Sequence, residues 1–292
     1  MANLREIRRR IKSVKNTRQI TRAMELVAAS KMKKAQQVAL SGRPYAILLA
    51  EMLSHVSSRI EDVEHPFFSR KEIKTRGIIV VTTDKGLCGP LNGNVVREIA
   101  NIKEDAKFVS IGRKGTQFLS RSGRDLLAEF SIPDKVPFMQ VKQIVEFMVE
   151  KYLAGEVDTV EVLYPRFINT LIQQTSYTKL LPVSGLEDMI TALRGKNAKT
   201  HTPIVDDRSF KFEPDAETVL ANLLPLFVNR EAYQAILSTK ASEHSSRMVA
   251  MKSAKDNAGK LIDELSLQFN KARQAAITQE ILEIAASTAT NG

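Results

Sequence analysis

The sequence has little cysteine and no long apolar run, and each shortage excludes a class of protein. The single cysteine, Cys88, cannot form an intramolecular disulfide, which fits a reducing compartment. No apolar run approaches the roughly 18 residues that a transmembrane helix needs. The start, Met1–Arg10, lacks the apolar core of a secretory signal. An Arg-rich organelle transit peptide is the alternative, but this segment runs directly into a longer helical pattern.

Proline is missing from both ends of the chain. All ten prolines lie between Pro44 and Pro225, and residues 226–292 hold only two glycines, Gly259 and Gly292. The pattern predicts long uninterrupted helices over residues 3–40 and 226–286, beyond the usual length of a globular helix. A single globular core does not cover helices of that length, whereas a coiled coil does.

Heptad spacing predicts where these two helices meet. The predicted N-terminal seam is Leu4, Ile7, Ile11, Val14, Arg18, Thr21, Glu25, Ala28, Met32, Ala35 and Ala39, with a slip at Arg18–Glu25 where Ile20, Met24 and Val27 take over. The predicted C-terminal seam is Ala258, Leu261, Leu265, Gln268, Ala272, Ala275, Gln279, Leu282 and Ala286. Two seams at opposite ends of one chain predict an intramolecular antiparallel pair, whose longer C-terminal helix extends past the N-terminal one.

The middle of the chain alternates between strand and helix patterns. Short apolar, β-branched runs predict strands at Gly77–Thr83, Lys107–Ile111 and Val157–Leu163, with a further strand in Asn169–Pro182. Helical patterns lie around Leu91–Ile102, Thr116–Ser122 and Val141–Leu153. This alternation predicts a parallel sheet covered by helices. The predicted fold class is therefore α/β with long helices: an antiparallel coiled coil of the N- and C-terminal helices plus a central Rossmann-like α/β domain.

Positive charge is concentrated at the N-terminus. The whole chain carries a formal charge of +10, and residues 1–40 contain 11 Lys/Arg against 2 acidic residues. Such a segment indicates an acidic partner, which can be a nucleic acid, an anionic lipid or an acidic protein surface. Residues 1–40 contain no aromatic residue, unlike segments that stack on bases. A basic helical nucleic-acid-binding protein stays open as an alternative at this point.

The sequence predicts no catalytic, cofactor or metal site. The loop Asp84–Asn94 follows a strand and precedes a helix, where doubly wound proteins bind phosphates. Yet it matches neither GxGxxG nor GxxxxGK[ST], and Pro90 removes one backbone donor. The four histidines are scattered, without the spacing of metal ligands. A nucleotide-dependent enzyme built on the central domain is the third alternative.

Four motifs resemble one family. They are IRRRIKSVKNTRQITRAMELVAASKMKKAQ (Ile7–Gln36), TTDKGLCGPLNGNV (Thr82–Val95), SEHSSRMVAMKSAKDNAGKLI (Ser242–Ile262) and NKARQAAITQEILEI (Asn270–Ile284). In this order they resemble the gamma subunit of F-type ATP synthase over essentially the whole chain. Ser287 and Thr288 stand where the family signature usually has Gly-Ala, so the end of the C-terminal helix departs from the family pattern.

The resemblance implies a non-catalytic central rotor without a cofactor. Such a subunit couples proton-driven rotation of the c-ring to conformational cycling of the catalytic beta subunits, and it regulates ATPase activity and proton flow. The implied partners are the alpha and beta subunits, epsilon and the c-ring, with no nucleic acid. The implied location is peripheral, on the cytoplasmic face of the bacterial inner membrane or, alternatively, on the matrix side of the mitochondrial inner membrane. With Cys88 alone, the regulatory dithiol of plastid members cannot form.

The resemblance also implies which residues contact partners. It assigns Met24 and Arg247 to a mid-shaft contact, and it places Arg22, Lys31, Lys33 and Lys34 against acidic loops of the beta subunits. Upper contacts are Arg273, Gln274, Thr278, Glu280 and Glu283, and the foot contains Phe210 and Phe212. The expected segments are residues 1–60 (N-terminal helix and extension), 74–184 (α/β domain), 185–213 (loop and foot) and 214–292 (C-terminal helix).

Overall fold

The computed structural model describes residues 4–57, 65–68, 72–183, 187–188, 190–191 and 212–290, without the side chains of Arg43, Glu283 and residues 286–290. The chain separates into two compact units. The helical unit comprises Met1–Ala29 and Arg247–Gly292, and the α/β unit comprises Ser30–Ser246. Within the described part, no helix is long and apolar enough to cross a membrane. The finer division into four segments stays a prediction.

Helices and strands alternate through the α/β unit. The helices are α1 (Leu4–Ser41), α2 (Arg43–Ser57), α3 (Leu91–Asn101), α4 (Arg113–Arg121), α5 (Phe138–Leu153) and α6 (Ala216–Thr290), and the strands are β1 (Thr75–Val81), β2 (Asp105–Ile111), β3 (Asp125–Phe130), β4 (Thr159–Phe167) and β5 (Gln173–Leu181). A short 3-10 helix covers Pro66–Phe68. The predicted fold class is confirmed.

The strands form one five-stranded sheet in the order β3-β2-β1-β4-β5. Strands β1 to β4 are parallel, and β5 pairs antiparallel with β4. The four predicted strands are present, but β3 was not predicted. Its side chains are mostly half-buried because it lies at the edge of the sheet, so it lacks the continuous apolar run of β1.

Each face of the sheet has its own core. Successive side chains of a strand point to opposite faces, so Ile78 and Val80 enter one core while Ile79 and Val81 enter the other. The smaller core includes Phe108 and side chains of α3 and α4. The larger core is closed by α2, α5 and the first part of α6. The α/β unit therefore buries both faces of its sheet without help from another chain.

Helix α6 begins ten residues earlier than predicted, so the expected start at residue 226 is wrong. Asp215 precedes the helix and accepts a hydrogen bond from the Thr218 backbone nitrogen at 2.7 Å, as an N-cap does. Pro225 lies inside the helix. An interior proline costs about 3 kcal/mol, and the buried neighbours Leu224 and Phe227 offset that cost by packing in the larger core.

In the helical unit, α1 and the end of α6 run antiparallel. The Arg8 guanidinium lies 5.5 Å from the centre of the Phe269 ring, and the Glu25 carboxylate accepts a hydrogen bond from Lys255 at 2.8 Å. As the residue number increases along α1, the number of the contacting residue on α6 therefore decreases. This confirms the predicted antiparallel pairing.

The predicted slip in the N-terminal seam is wrong. Ile20 and Val27 are 60% and 55% exposed, whereas Thr21 is buried and Glu25 is half-buried. The heptad therefore continues through Thr21 and Glu25, although Arg18 is exposed and Met24 is half-buried. The Thr21 hydroxyl donates to the Thr17 and Arg18 carbonyls of its own helix, and Glu25 pairs with a cation of the opposite helix, so both polar groups have partners.

The predicted C-terminal seam is right at Ala258, Leu265 and Ala272 but wrong at the positions between them. Leu261 is 43% exposed and Gln268 is exposed, whereas Ile262 is buried and Phe269 is half-buried. The observed seam is Met251, Lys255, Ala258, Ile262, Leu265, Phe269, Ala272 and Ala276. This phase buries an isoleucine and a phenylalanine in place of a leucine and a glutamine, so it removes more apolar surface from water.

Candidate functional site

The residues expected to contact partners fall on both units. Arg22 and Met24 lie in the helical unit, where Arg22 is exposed and Met24 is half-buried beside the seam. Arg247 also belongs to this unit and is half-buried. The outer face of α1 carries exposed Ile20 and Leu26. Apolar side chains and cations thus share a surface that a protein in water alone would cover with polar groups.

The tip of α6, which we define as residues 273–290, presents a mixed polar and apolar surface. Its expected contact residues Arg273, Gln274, Thr278 and Glu280 are exposed. The large apolar side chains exposed between and after them are Ile277, Ile281, Leu282 and Ile284. The side chain of Glu283 lies outside what the structure describes. What covers these side chains stays a prediction.

The three lysines toward the C-terminal end of α1, Lys31, Lys33 and Lys34, are not equivalent. All three are exposed residues of the α/β unit. The Lys31 ammonium donates to a carboxylate oxygen of Asp134 at 2.7 Å. Lys33 and Lys34 form no ion pair with any residue that the structure describes. Lys31 is therefore occupied within the chain, whereas the other two are available to a partner.

Asp134 is the centre of a cluster of ionisable groups. Its second oxygen lies 3.5 Å from His244 Nε2 on α6. On the same helix, the buried Lys240 ammonium donates to the Ile132 carbonyl at 2.9 Å. Burial alone would raise the pKa of Asp134, but the Lys31 hydrogen bond and the nearby His244 and Lys240 outweigh it and lower that pKa. The carboxylate is therefore held in its charged form.

A row of serines holds the middle of α6 against the rest of the α/β unit. Ser238 accepts a hydrogen bond from the Phe167 backbone nitrogen at 2.8 Å. The other three serines donate to backbone carbonyls: Ser242 to Pro165 at 2.9 Å, Ser245 to Thr170 at 2.7 Å and Ser246 to Cys88 at 2.6 Å. These serines were not among the predicted functional residues. The sequence does carry a pattern that indicates them, because hydroxyl residues recur at three- and four-residue spacing on one helix face.

The loop after β1 is filled by its own side chains. Asn92 donates to the Thr83 hydroxyl at 2.8 Å, and its amide oxygen accepts from the Thr83 nitrogen at 3.1 Å. Asp84 accepts hydrogen bonds from the Arg113 nitrogen and the Ser131 hydroxyl. These polar groups are turned toward the protein, an arrangement unlike the open cradle of backbone donors that binds a phosphate.

The predicted foot is only partly described. Phe212 is half-buried and packs against the larger core, while Phe210 lies outside the described residues. Within the described residues, no group of three or more His, Cys, Asp or Glu side chains could hold a metal ion.

Comparisons with known proteins agree with one another. A family model described as ATP synthase matches residues 3–290. The ATP synthase gamma chain of Opitutus terrae is 57% identical, over 98% of both chains, and that of Methylacidiphilum infernorum is 46% identical over 97% of both. Among solved structures, the central stalk and c-ring of Tetrahymena thermophila mitochondrial ATP synthase includes a chain with 28% identity and a TM-score of 0.58, covering 80% of this chain and 99% of that one.

Proposed function

The chain belongs to the ATP synthase gamma-chain family, and we propose that it acts as the non-catalytic rotor of the complex. Its central-stalk role follows from that membership. We infer that the alpha and beta subunits surround the helical unit together with the adjoining residues of α1 that carry Lys33 and Lys34. The rest of the α/β unit is then the part that epsilon and the c-ring contact.

The observation that carries the proposal is the surface of the helical unit. Exposed apolar side chains occur on α1, at Ile20 and Leu26, and on the tip of α6, at Ile281 and Leu282. Large apolar side chains that are exposed along one helix pair of the isolated chain mark a surface that a partner covers in the assembled complex. A surrounding ring of subunits would provide that cover, with the cations Arg22, Lys33 and Lys34 lying against its acidic loops.

The coupling follows from the asymmetry of the helical unit. Its two helices present different side chains in different directions, so chemically identical subunits around it meet different surfaces. In each orientation of the rotor, the contacts at a given catalytic site have different free energies with its open and its closed state. That difference decides which of the two states the site favours. No single bond carries the torque. On this view, the residues that set the difference are Met24, Arg247, Arg273, Gln274, Thr278, Glu280 and Glu283.

The chain itself is proposed to have no ATPase activity. The loop Asp84–Asn94 uses its polar groups in internal hydrogen bonds, among them those of Asn92 with Thr83. Calorimetry on the purified chain is expected to detect no ATP binding at micromolar affinity. Binding at that affinity would contradict a purely mechanical role.

The proposed location is the cytoplasmic face of the bacterial inner membrane, as a peripheral subunit. The similar gamma chains from Opitutus terrae and Methylacidiphilum infernorum support a bacterial setting. Contact with the membrane would occur only through the complex, with Phe210 and Phe212 in the foot.

Reconstitution tests the function directly. The chain is mixed with alpha and beta subunits from the same organism, and the assembled complex is separated from free subunits by size. We expect one chain for each ring of three alpha and three beta subunits, with ATP-driven rotation of a probe attached to the α/β unit. A chain that stays monomeric under conditions in which alpha and beta associate would contradict the proposal. Retention on nucleic acid at physiological salt would favour the alternative instead.

A further inference from the structure

Lys31 and Lys33 cannot serve one partner surface together. Successive residues of a helix are rotated by about 100°, so side chains two positions apart point in directions that differ by about 160°. Lys34 is closer in direction to Lys31, at about 60° around the helix. The side of α1 that carries Lys31 faces Asp134, since the two side chains meet at 2.7 Å.

Asp134 contacts basic side chains from two different helices. One carboxylate oxygen accepts from Lys31 on α1, and the other lies 3.5 Å from His244 on α6. Asp134 itself lies between β3 and α5, in the same loop as Ile132, whose carbonyl accepts from Lys240 of α6. The β3–α5 loop is therefore bonded to both long helices of the chain.

These contacts lie close to the places where the chain passes between its units. The passages are Ala29–Ser30 in α1 and Ser246–Arg247 in α6. Lys31 and His244 each lie within two residues of one of these passages. The two stretches of helix are the covalent connections between the units, so torque that acts on one unit reaches the other through them.

We propose that Asp134 is a positioning residue for rotation, which clasps α1 and α6 to the β3–α5 loop through Lys31 and His244. Lys31 then belongs to this clasp and not to the set of cations that face the ring. The inference rests on the proposed rotor function. It separates Lys31 from Lys33 by direction and from Lys34 by the ion pair with a described residue that only Lys31 forms, although the resemblance grouped all three.

The first test uses the isolated full chain. Lys31→Met and Asp134→Asn are made singly and together, and urea unfolding is measured for each. Both side chains are about half exposed, so loss of the pair should change the unfolding equilibrium constant by only about threefold. We expect the double variant to be about as stable as Asp134→Asn alone, because that change already removes the partner of Lys31. Strictly additive effects would overturn the clasp, whether or not the chain assembles with other subunits.

The second test uses the assembled complex. With the ring immobilised, the angular fluctuation of a probe on the α/β unit is measured between rotation steps. We expect Lys31→Met and Asp134→Asn each to widen the fluctuation, and the double variant to match Asp134→Asn. Lys135→Met is the matched control, because it removes a cation of the same loop that forms no ion pair with any described residue. Equal widening in the control would overturn the proposal.

A third measurement, the coupling of ATP hydrolysis to proton pumping in the assembled complex, separates the clasp from a ring contact. If Lys31 served the ring, Lys31→Met would impair coupling of ATP hydrolysis to proton pumping while Asp134→Asn behaved like the original chain. That result would overturn the proposal. Failure of the unsubstituted chain to assemble would instead contradict the rotor function, and the unfolding test would then decide whether the clasp exists.

Discussion

The two units of the molecule differ in how much apolar core they have. In the α/β unit, five consecutive residues of β1 are buried, and the sheet is covered on both faces. In the helical unit, the buried residues of α1 are only Ile7, Thr21 and Ala28. The α/β unit is therefore stabilised by its own core, whereas the proposed function has the helical unit completed by contacts with surrounding subunits.

The largest effect is expected from the core of the α/β unit. Phe108 is fully buried in the smaller core, so Phe108→Ala removes its contacts and leaves a cavity. We expect a loss of about 3–5 kcal/mol in the free energy of unfolding. Urea unfolding of the isolated chain measures it. Leu267→Ala, at an exposed position of the helical unit, is the control, and an equal loss in both variants would remove the contrast between the units.

The seam of the helical unit should show a smaller effect with a clear direction. Ile262 is buried and its neighbour Leu261 is 43% exposed. Ile262→Ala should lower the free energy of unfolding by about 2 kcal/mol, at the low end for a core position because the seam is only two helices wide. Leu261→Ala should cost less than half of that. If Leu261→Ala cost more, the seam would follow the phase expected from the sequence and not the observed one.

These two units also differ in how far the sequence predicts them. The strands of the sheet were predicted because each combines β-branched residues with a turn, and only the edge strand β3 was missed. The C-terminal seam is harder to predict, because heptad spacing from Ala258 can begin with a step of three, to Leu261, or a step of four, to Ile262. Only the partner helix decides between Leu261 and Ile262. Likewise, no local sequence pattern predicts the contacts of Asp134, because its partners Lys31 and His244 are each about 100 residues or more away in the sequence.

The serine row offers a prediction of intermediate size. Ser246 is buried and donates to the Cys88 carbonyl at 2.6 Å. Ser246→Ala leaves that carbonyl without this donor, so we expect a loss of about 1 kcal/mol in the free energy of unfolding. Hydrogen exchange should quicken in the loop after β1 and in α6 near residue 246. The control is Ser253→Ala on the same helix, where the side chain is exposed. Equal effects of the two changes would mean that the serine row does not hold the helix.

The smallest effect on the isolated chain is expected at the tip of α6. Ile281 and Leu282 are 59% and 63% exposed, so replacing both with serine removes little buried surface and should change stability by less than about 0.5 kcal/mol. In the assembled complex, a surrounding apolar sleeve would lose those contacts, and the chain should dissociate from the ring several-fold faster. Hydrogen exchange provides the independent measurement, because the tip should exchange rapidly in the isolated chain and slowly only after assembly. Strong protection of the tip in the isolated chain would mean that the tip packs within its own chain. The helical unit would then not depend on a partner at the tip, and the proposed contrast with the α/β unit would be wrong there.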